Sequence, residues 1–180
     1  MARISDMRYD LVISGARVVD PETGLDAVRN VGIVGTEIAA VTVEKLGGGD
    51  TIDASGMVVC PGFIDMHSHG QDEENYAIQV KDGVTTALEL EVGTADVNAW
   101  YAEREGTAAV NYGATVGHIP VRADVMNDAG GWLPEGDGAH REATDVEIGE
   151  MAAAVRDGLE QGALGVGFGV MYTPAASRWE

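Results

Sequence analysis

Apolar residues over the first fifty positions come in short runs broken by residues that turn the chain. The runs at 10–14 (Asp-Leu-Val-Ile-Ser), 17–20 (Arg-Val-Val-Asp), 31–34 (Val-Gly-Ile-Val) and 38–43 (Ile-Ala-Ala-Val-Thr-Val) are rich in β-branched residues. Gly15, the stretch 21–24, Gly35 and the stretch 47–50 punctuate them. This rhythm predicts a small sheet of meandering strands from Tyr9 to about Thr51. From Met57 onward the period lengthens. Strands are predicted at 58–65, 85–91, within 108–117 and at 163–169, with helices at 74–82, 95–105 and 144–161 between them. Such alternation implies parallel strands joined by right-handed crossovers. The chain thus reads as an α/β protein of two regions, 1–56 and 57–180.

The helix over 144–161 carries the strongest signals. Thr144 followed by Glu147 has the form of a capping box, and Ile148, Met151, Ala152, Val155 and Leu159 fall on one face at helical spacing. Gly162 stands where helices commonly end. Residues 124–142, rich in Gly, Asp and Asn, are too long for a plain connector. Either a functional loop at a strand's carboxyl end or a disordered stretch fits that composition.

Composition narrows the function classes. Thirty acidic residues against eleven basic ones give a formal net charge of −19. That surface repels a phosphate backbone or an anionic membrane, so neither nucleic acid nor membrane is an expected partner. The surplus acid otherwise reads as solvated surface. One cysteine, Cys60, rules out an internal disulfide framework, no apolar run approaches a membrane span, and the opening residues lack a signal-peptide core. A cytoplasmic protein acting on a small molecule is the expectation.

Candidate chemistry sits where the predicted strands end. His67 and His69, one residue apart after the run Pro61-Gly-Phe-Ile-Asp-Met66, project to one side at a carboxyl end, which is where parallel barrels build their active sites. Two imidazoles so placed converge on one divalent ion, with nitrogens at about 2.0–2.1 Å for zinc.

The stretch from Pro61 to His69 resembles the first-strand signature of the amidohydrolase superfamily, and the opening at 10–20 is similar to the start of that superfamily's small β-sandwich. Residues 83–93 (Gly-Val-Thr-Thr-Ala-Leu-Glu-Leu-Glu-Val-Gly) and 162–174 resemble the N-acyl-D-amino-acid deacylase branch, in particular sequences called D-glutamate deacylases. The resemblance covers nearly the whole chain. It implies part of a β-sandwich (1–56) followed by the first four βα units of a TIM-like (β/α)8 barrel (57–180). Strands five to eight, two further metal-binding histidines and a catalytic aspartate are then expected beyond Glu180, so this segment alone is expected to be inactive and prone to aggregation at its open edge.

One position departs from the branch's pattern. Val92 stands where many such deacylases place a cysteine that bridges metals, and Cys60, before the first barrel strand, reads as buried structure. Neither Lys45 nor Lys81 is near a strand's carboxyl end. Glu89 and Glu91 share one face of the second barrel strand by its period of two, and two adjacent buried carboxylates are costly without a cation. Glu91, nearer the carboxyl end, is the expected third ligand, with Glu89 behind it or in its place.

His118, Arg122 and Tyr172, each after a strand, are candidate substrate contacts, and His140 has no assigned role. What the resemblance implies is hydrolysis of the amide bond of an N-acyl-D-amino acid, N-acyl-D-glutamate among them, by a hydroxide activated on one or two Zn²⁺ ions. Another amidohydrolase reaction (cyclic amide hydrolysis or deamination) and a scaffold without turnover remain open alternatives.

Overall fold

The structure is a computed structural model that describes residues 7–128 and 133–169. The chain forms two compact units, Met1–Pro61 and Gly62–Glu180.

The first unit is a five-stranded sheet. β1 (Arg8–Asp20), β2 (Leu25–Val34) and β3 (Glu37–Thr42) form the expected antiparallel meander, while β4 (Gly47–Asp53) and β5 (Val58–Val59) pair with β1 in parallel. The runs at 10–14 and 17–20 are one strand, bulged between Ile13 and Ala16 around Gly15 at φ +73°. The glycines at 47–49, expected as a turn, are strand instead. Their bareness admits the neighbouring strand: a Cβ on Gly48 would stand 2.7 Å from Val12 Cγ2. Tyr9, Val12, Ala40 and Leu46 form the buried cluster of this unit.

The predicted strand at 58–65 is two pieces. β5 belongs to the first sheet, and β6 (Phe63–Asp65) pairs with β7 (Val84–Thr94) in the second. Pro61, which has no N–H to offer a ladder, lies in the break. Cys60 beside it is exposed, not buried as expected, because it sits between paired segments rather than in one.

In the second unit, after β6 come α1 (Glu73–Lys81), β7, α2 (Val97–Arg104), β8 (Asn111–Gly117), α3 (His118–Val125), α4 (Asp137–His140), α5 (Asp145–Glu160) and β9 (Val166–Gly167). The order follows the predicted alternation up to β8, then sets two unpredicted helices, α3 and α4, before the expected one, and the strand predicted at 163–169 is only Val166–Gly167. The four strands are parallel in the order β6-β7-β8-β9, so each neighbours its predecessor in the chain. Val97, Val116, Val121, Met126 and Met151 form the larger core cluster between helices and sheet, and Tyr76, Ala87 and Val110 a smaller one.

The α5 capping box is present. Glu147 N donates to Thr144 Oγ1 at 3.3 Å, and Thr144 N donates to a Glu147 carboxylate oxygen at 2.7 Å. Met151, Ala154 and Val155 face the core, whereas Ile148 and Leu159, expected on that face, are 40% and 44% exposed, and Ala152 is exposed as well. The stretch read as a long loop holds α4, and α3 starts directly at the end of β8. No described helix is long and apolar enough to cross a membrane.

Candidate metal centre

His67 and His69 lie two and four residues beyond the end of β6, and Glu89 and Glu91 lie in the carboxyl half of β7, the strand paired with it. The loop carrying the histidines is anchored through Ser68, which is buried between them. Ser68 N donates to Leu88 O at 3.1 Å, tying the loop to β7. From α1 and its approach, Gln71 Nε2 donates to Ser68 O at 3.0 Å and Gln79 Nε2 to Ser68 Oγ at 2.8 Å, while the hydroxyl of buried Tyr76 donates to Gln71 Oε1 at 2.9 Å. With Ser68 held inward, its two neighbours project outward on a fixed backbone.

β7 supplies the carboxylates through an irregularity. Glu89 is opposite Ala114 and Thr94 opposite Val116, so five residue steps of β7 face two of β8. The surplus residues bulge and turn the backbone N–H groups of Val92 and Gly93 back onto Glu89 Oε1, each at 3.2 Å. Gly93 has φ +67°, and a Cβ there would lie 2.6 Å from Thr115 O, so the turn requires glycine. Thr115 Oγ1 donates toward the carbonyls of Glu89 and Leu90, at 3.3 and 3.2 Å, which ties the bulge to β8.

These elements bring His67, His69 and Glu91 together, with one donor atom from each within 4.8 Å of the others. Glu91 Oε2 is 3.0 Å from His67 Nε2 and 3.3 Å from His69 Nε2. A tetrahedral ion with bonds of about 2.0–2.2 Å holds neighbouring donors about 3.3 Å apart, so the carboxylate–imidazole spacings fit one divalent cation. Imidazole and carboxylate are also donors that zinc accepts. Glu89 is not in this trio. It is 7% exposed, and its Oε2 lies 2.7 Å from His69 Nδ1.

The remaining expected residues sit elsewhere. His118 opens α3 and stacks on Phe168, with ring centroids 5.3 Å apart and planes at 24°. Burial, with the charge of Arg122 acting in the same direction, lowers its pKa below the ordinary 6.5. Arg122 is 1% exposed, and its guanidinium works inside the fold, where Nε donates to Gly138 O at 2.6 Å and Nη2 to Arg141 O. It thereby pins α4 and the stretch before α5, a use that differs from the expected pairing with a substrate carboxylate. Tyr172 lies outside the described residues. His140 is exposed at the end of α4.

Sequence reasoning missed the support around Ser68 and the N–H pair at Val92 and Gly93. Gly93 within a strand was the available signal for the bulge. The contacts of Gln71 and Gln79 left no pattern in the sequence.

Comparison with known proteins supplies independent findings. A profile described as Amidohydrolase family matches residues 50–177. A D-aminoacylase from Alcaligenes xylosoxydans xylosoxydans is 29% identical over 98% of this chain and 41% of its own length. An N-acyl-D-glutamate deacylase from the same organism is 27% identical over 93% of this chain and 38% of its own. Among solved structures, a D-aminoacylase described as defining a novel subset of amidohydrolases superposes with a TM-score of 0.76 at 31% identity, covering 93% of this chain and 40% of that one. The chain therefore spans about two-fifths of the length of the relatives it matches, and its four parallel strands correspond to part of a barrel.

Proposed function

The chain belongs to the amidohydrolase family, and on that premise we propose that the protein is a metal-dependent hydrolase that cleaves the amide bond of N-acyl-D-amino acids. The observation that carries the reading is the convergence of His67, His69 and Glu91 at adjacent strand ends, in a chain that aligns over 98% of its length with a D-aminoacylase. Relatives named for N-acyl-D-aspartate and N-acyl-D-glutamate, at 29% and 27% identity, support an acidic D-amino acid as substrate, with N-acyl-D-glutamate as the first to test. Cytoplasmic location and a small-molecule substrate belong to the same reading.

In this account His67, His69 and Glu91 would hold the ion, with the Nε2 atoms of the histidines and Oε2 of Glu91 the donors that lie together. Zinc is the proposed metal, as one ion or two; a related D-aminoacylase structure is described as having a binuclear metal center. A bound divalent ion supplies Lewis acidity toward the amide carbonyl and makes water a nucleophile near neutral pH. Glu91 takes the carboxylate ligand position at the strand end where Val92 replaces a cysteine. His118, at the end of the neighbouring strand, is proposed to hydrogen-bond the substrate, a role that its lowered pKa, caused first by burial, supports. Arg122 contributes indirectly, by fixing the backbone that follows α3. No residue of this chain is assigned the proton transfer to the leaving amine.

The test is hydrolysis by the full-length protein of N-acetyl-D-glutamate, its L enantiomer, N-acetyl-D-methionine and a cyclic amide. The proposal expects turnover of the linear D substrates, lost on chelation and restored by Zn²⁺. Turnover confined to the cyclic amide, or turnover of D substrates that survives complete metal removal, would overturn it.

A further inference from the structure

We infer that Glu89 is a positioning residue that fixes which nitrogen of His69 faces the metal; the inference rests on the metal centre proposed above. His69 stands between two carboxylates, and the two contact different nitrogens. Its Nδ1 is 2.7 Å from Glu89 Oε2, while its Nε2 is 3.3 Å from Glu91 Oε2. Glu89 Oε1 is occupied by the N–H groups of Val92 and Gly93, at 3.2 Å each. A carboxylate has acceptors only, so with Oε1 receiving two donors and Oε2 facing the ring, Nδ1 is the nitrogen that donates. The proton sits on Nδ1, and the Nε2 lone pair is directed at the position shared with His67 and Glu91.

The burial of Glu89 makes the arrangement one-sided. The residue is 7% exposed, in a bulge closed by Thr115 and by Gly93 at φ +67°. A rotated side chain would strand the Val92 and Gly93 N–H groups, so the carboxylate cannot turn from the ring without a second cost. His67 shows no second carboxylate at its other ring nitrogen among the described residues: its Nε2 faces Glu91 Oε2 at 3.0 Å, its ring meets that of His69 edge-on, and its side chain is 63% exposed. Of the two histidines, His69 is the one whose orientation the fold sets in advance.

Glutamine at this position separates positioning from mere filling. Its carbonyl can satisfy the bulge N–H groups, but its NH₂ then faces Nδ1 and demands a lone pair there, which drives the proton to Nε2, where it opposes metal binding. A purely structural Glu89 predicts no such effect, because the bulge stays satisfied.

The experiment uses the full-length protein and Zn²⁺, titrated against a competing chelator. Glu89→Gln is expected to weaken zinc binding about 10–100-fold with the fold intact by circular dichroism, and Glu89→Asp, which keeps both acceptors, to recover part of the loss. Equal zinc affinity in wild type and Glu89→Gln would overturn the inference while leaving the metal centre standing. A wild type that binds no zinc would instead remove the reading beneath it. One readout needs no variant: in zinc-loaded wild type labelled with ¹⁵N-histidine, His69 is expected to coordinate through Nε2 with a slowly exchanging Nδ1–H. Coordination through Nδ1 overturns the inference.

Discussion

Two glycines of α5 should respond in opposite directions to the same change. Gly149 and Gly158 both lie inside the helix, and alanine at either favours the helix by up to about 1 kcal/mol. A Cβ on Gly149 meets nothing within 4 Å. A Cβ on Gly158 would lie 2.6 Å from Cγ2 and 2.7 Å from Cβ of Val116. Ordinary carbon contacts are about 3.5–4.0 Å, so the shortfall is on the order of 1 Å. Val116 is fully buried among Val97, Val121, Met126 and Met151, and it cannot retreat. Overpacking of this kind costs about 1–3 kcal/mol, which outweighs the helix term and leaves Gly158→Ala destabilised by roughly 1–2 kcal/mol. Gly149→Ala should be stabilised by about 0.5–1 kcal/mol. The helix term is common to both, so the variants differ by the overpacking cost, about 1–3 kcal/mol, which is roughly 5- to 150-fold in local opening. Hydrogen exchange followed by mass spectrometry over α5 peptides reads this directly. Equal protection of α5 in the two variants would refute the packing argument.

Two further outcomes follow from one buried and one half-buried polar group. Arg122→Lys replaces a fork serving Gly138 O and Arg141 O with a single ammonium, which should leave a carbonyl unsatisfied at about 1–3 kcal/mol and speed proteolysis within 133–142; unchanged cleavage would contradict it. The lowered pKa of His118 means that the unfolded chain takes up the proton before the folded one does, so stability falls as pH drops below the ordinary 6.5. Its NMR titration midpoint should lie below 6.5 and rise toward it in Phe168→Ala, where the covering ring is gone; a wild-type midpoint above 6.5 would be the contrary result.

What the sequence disclosed and what it concealed divide along physical lines. Local signals survived folding. Thr144 and Glu147 form the box their spacing implies, and the β–α rhythm after Met57 became four parallel strands. Elements set by long-range pairing were hidden. Three glycines at 47–49 have the composition of a turn, and only the approach of β1 makes them a strand. Val58 and Phe63 lie in one β-rich run yet belong to different sheets, because each pairs with a partner distant in sequence. The site shows the same division. His67, His69 and the same-face glutamates were legible from spacing and period, whereas the turn at Gly93 that returns two N–H groups to Glu89 depends on β8. Arg122 resembled a substrate contact because its type and position suit one, and only its burial shows what it serves.

The central claim is that His67, His69 and Glu91 hold a divalent metal. Its most direct test is the metal content and zinc affinity of the full-length protein beside Glu91→Gln. The account predicts at least one tightly held ion per chain in the wild type, and a loss of that ion or a large fall in affinity in the variant. Wild-type protein without bound metal, or a Glu91→Gln variant with wild-type zinc affinity, would contradict it.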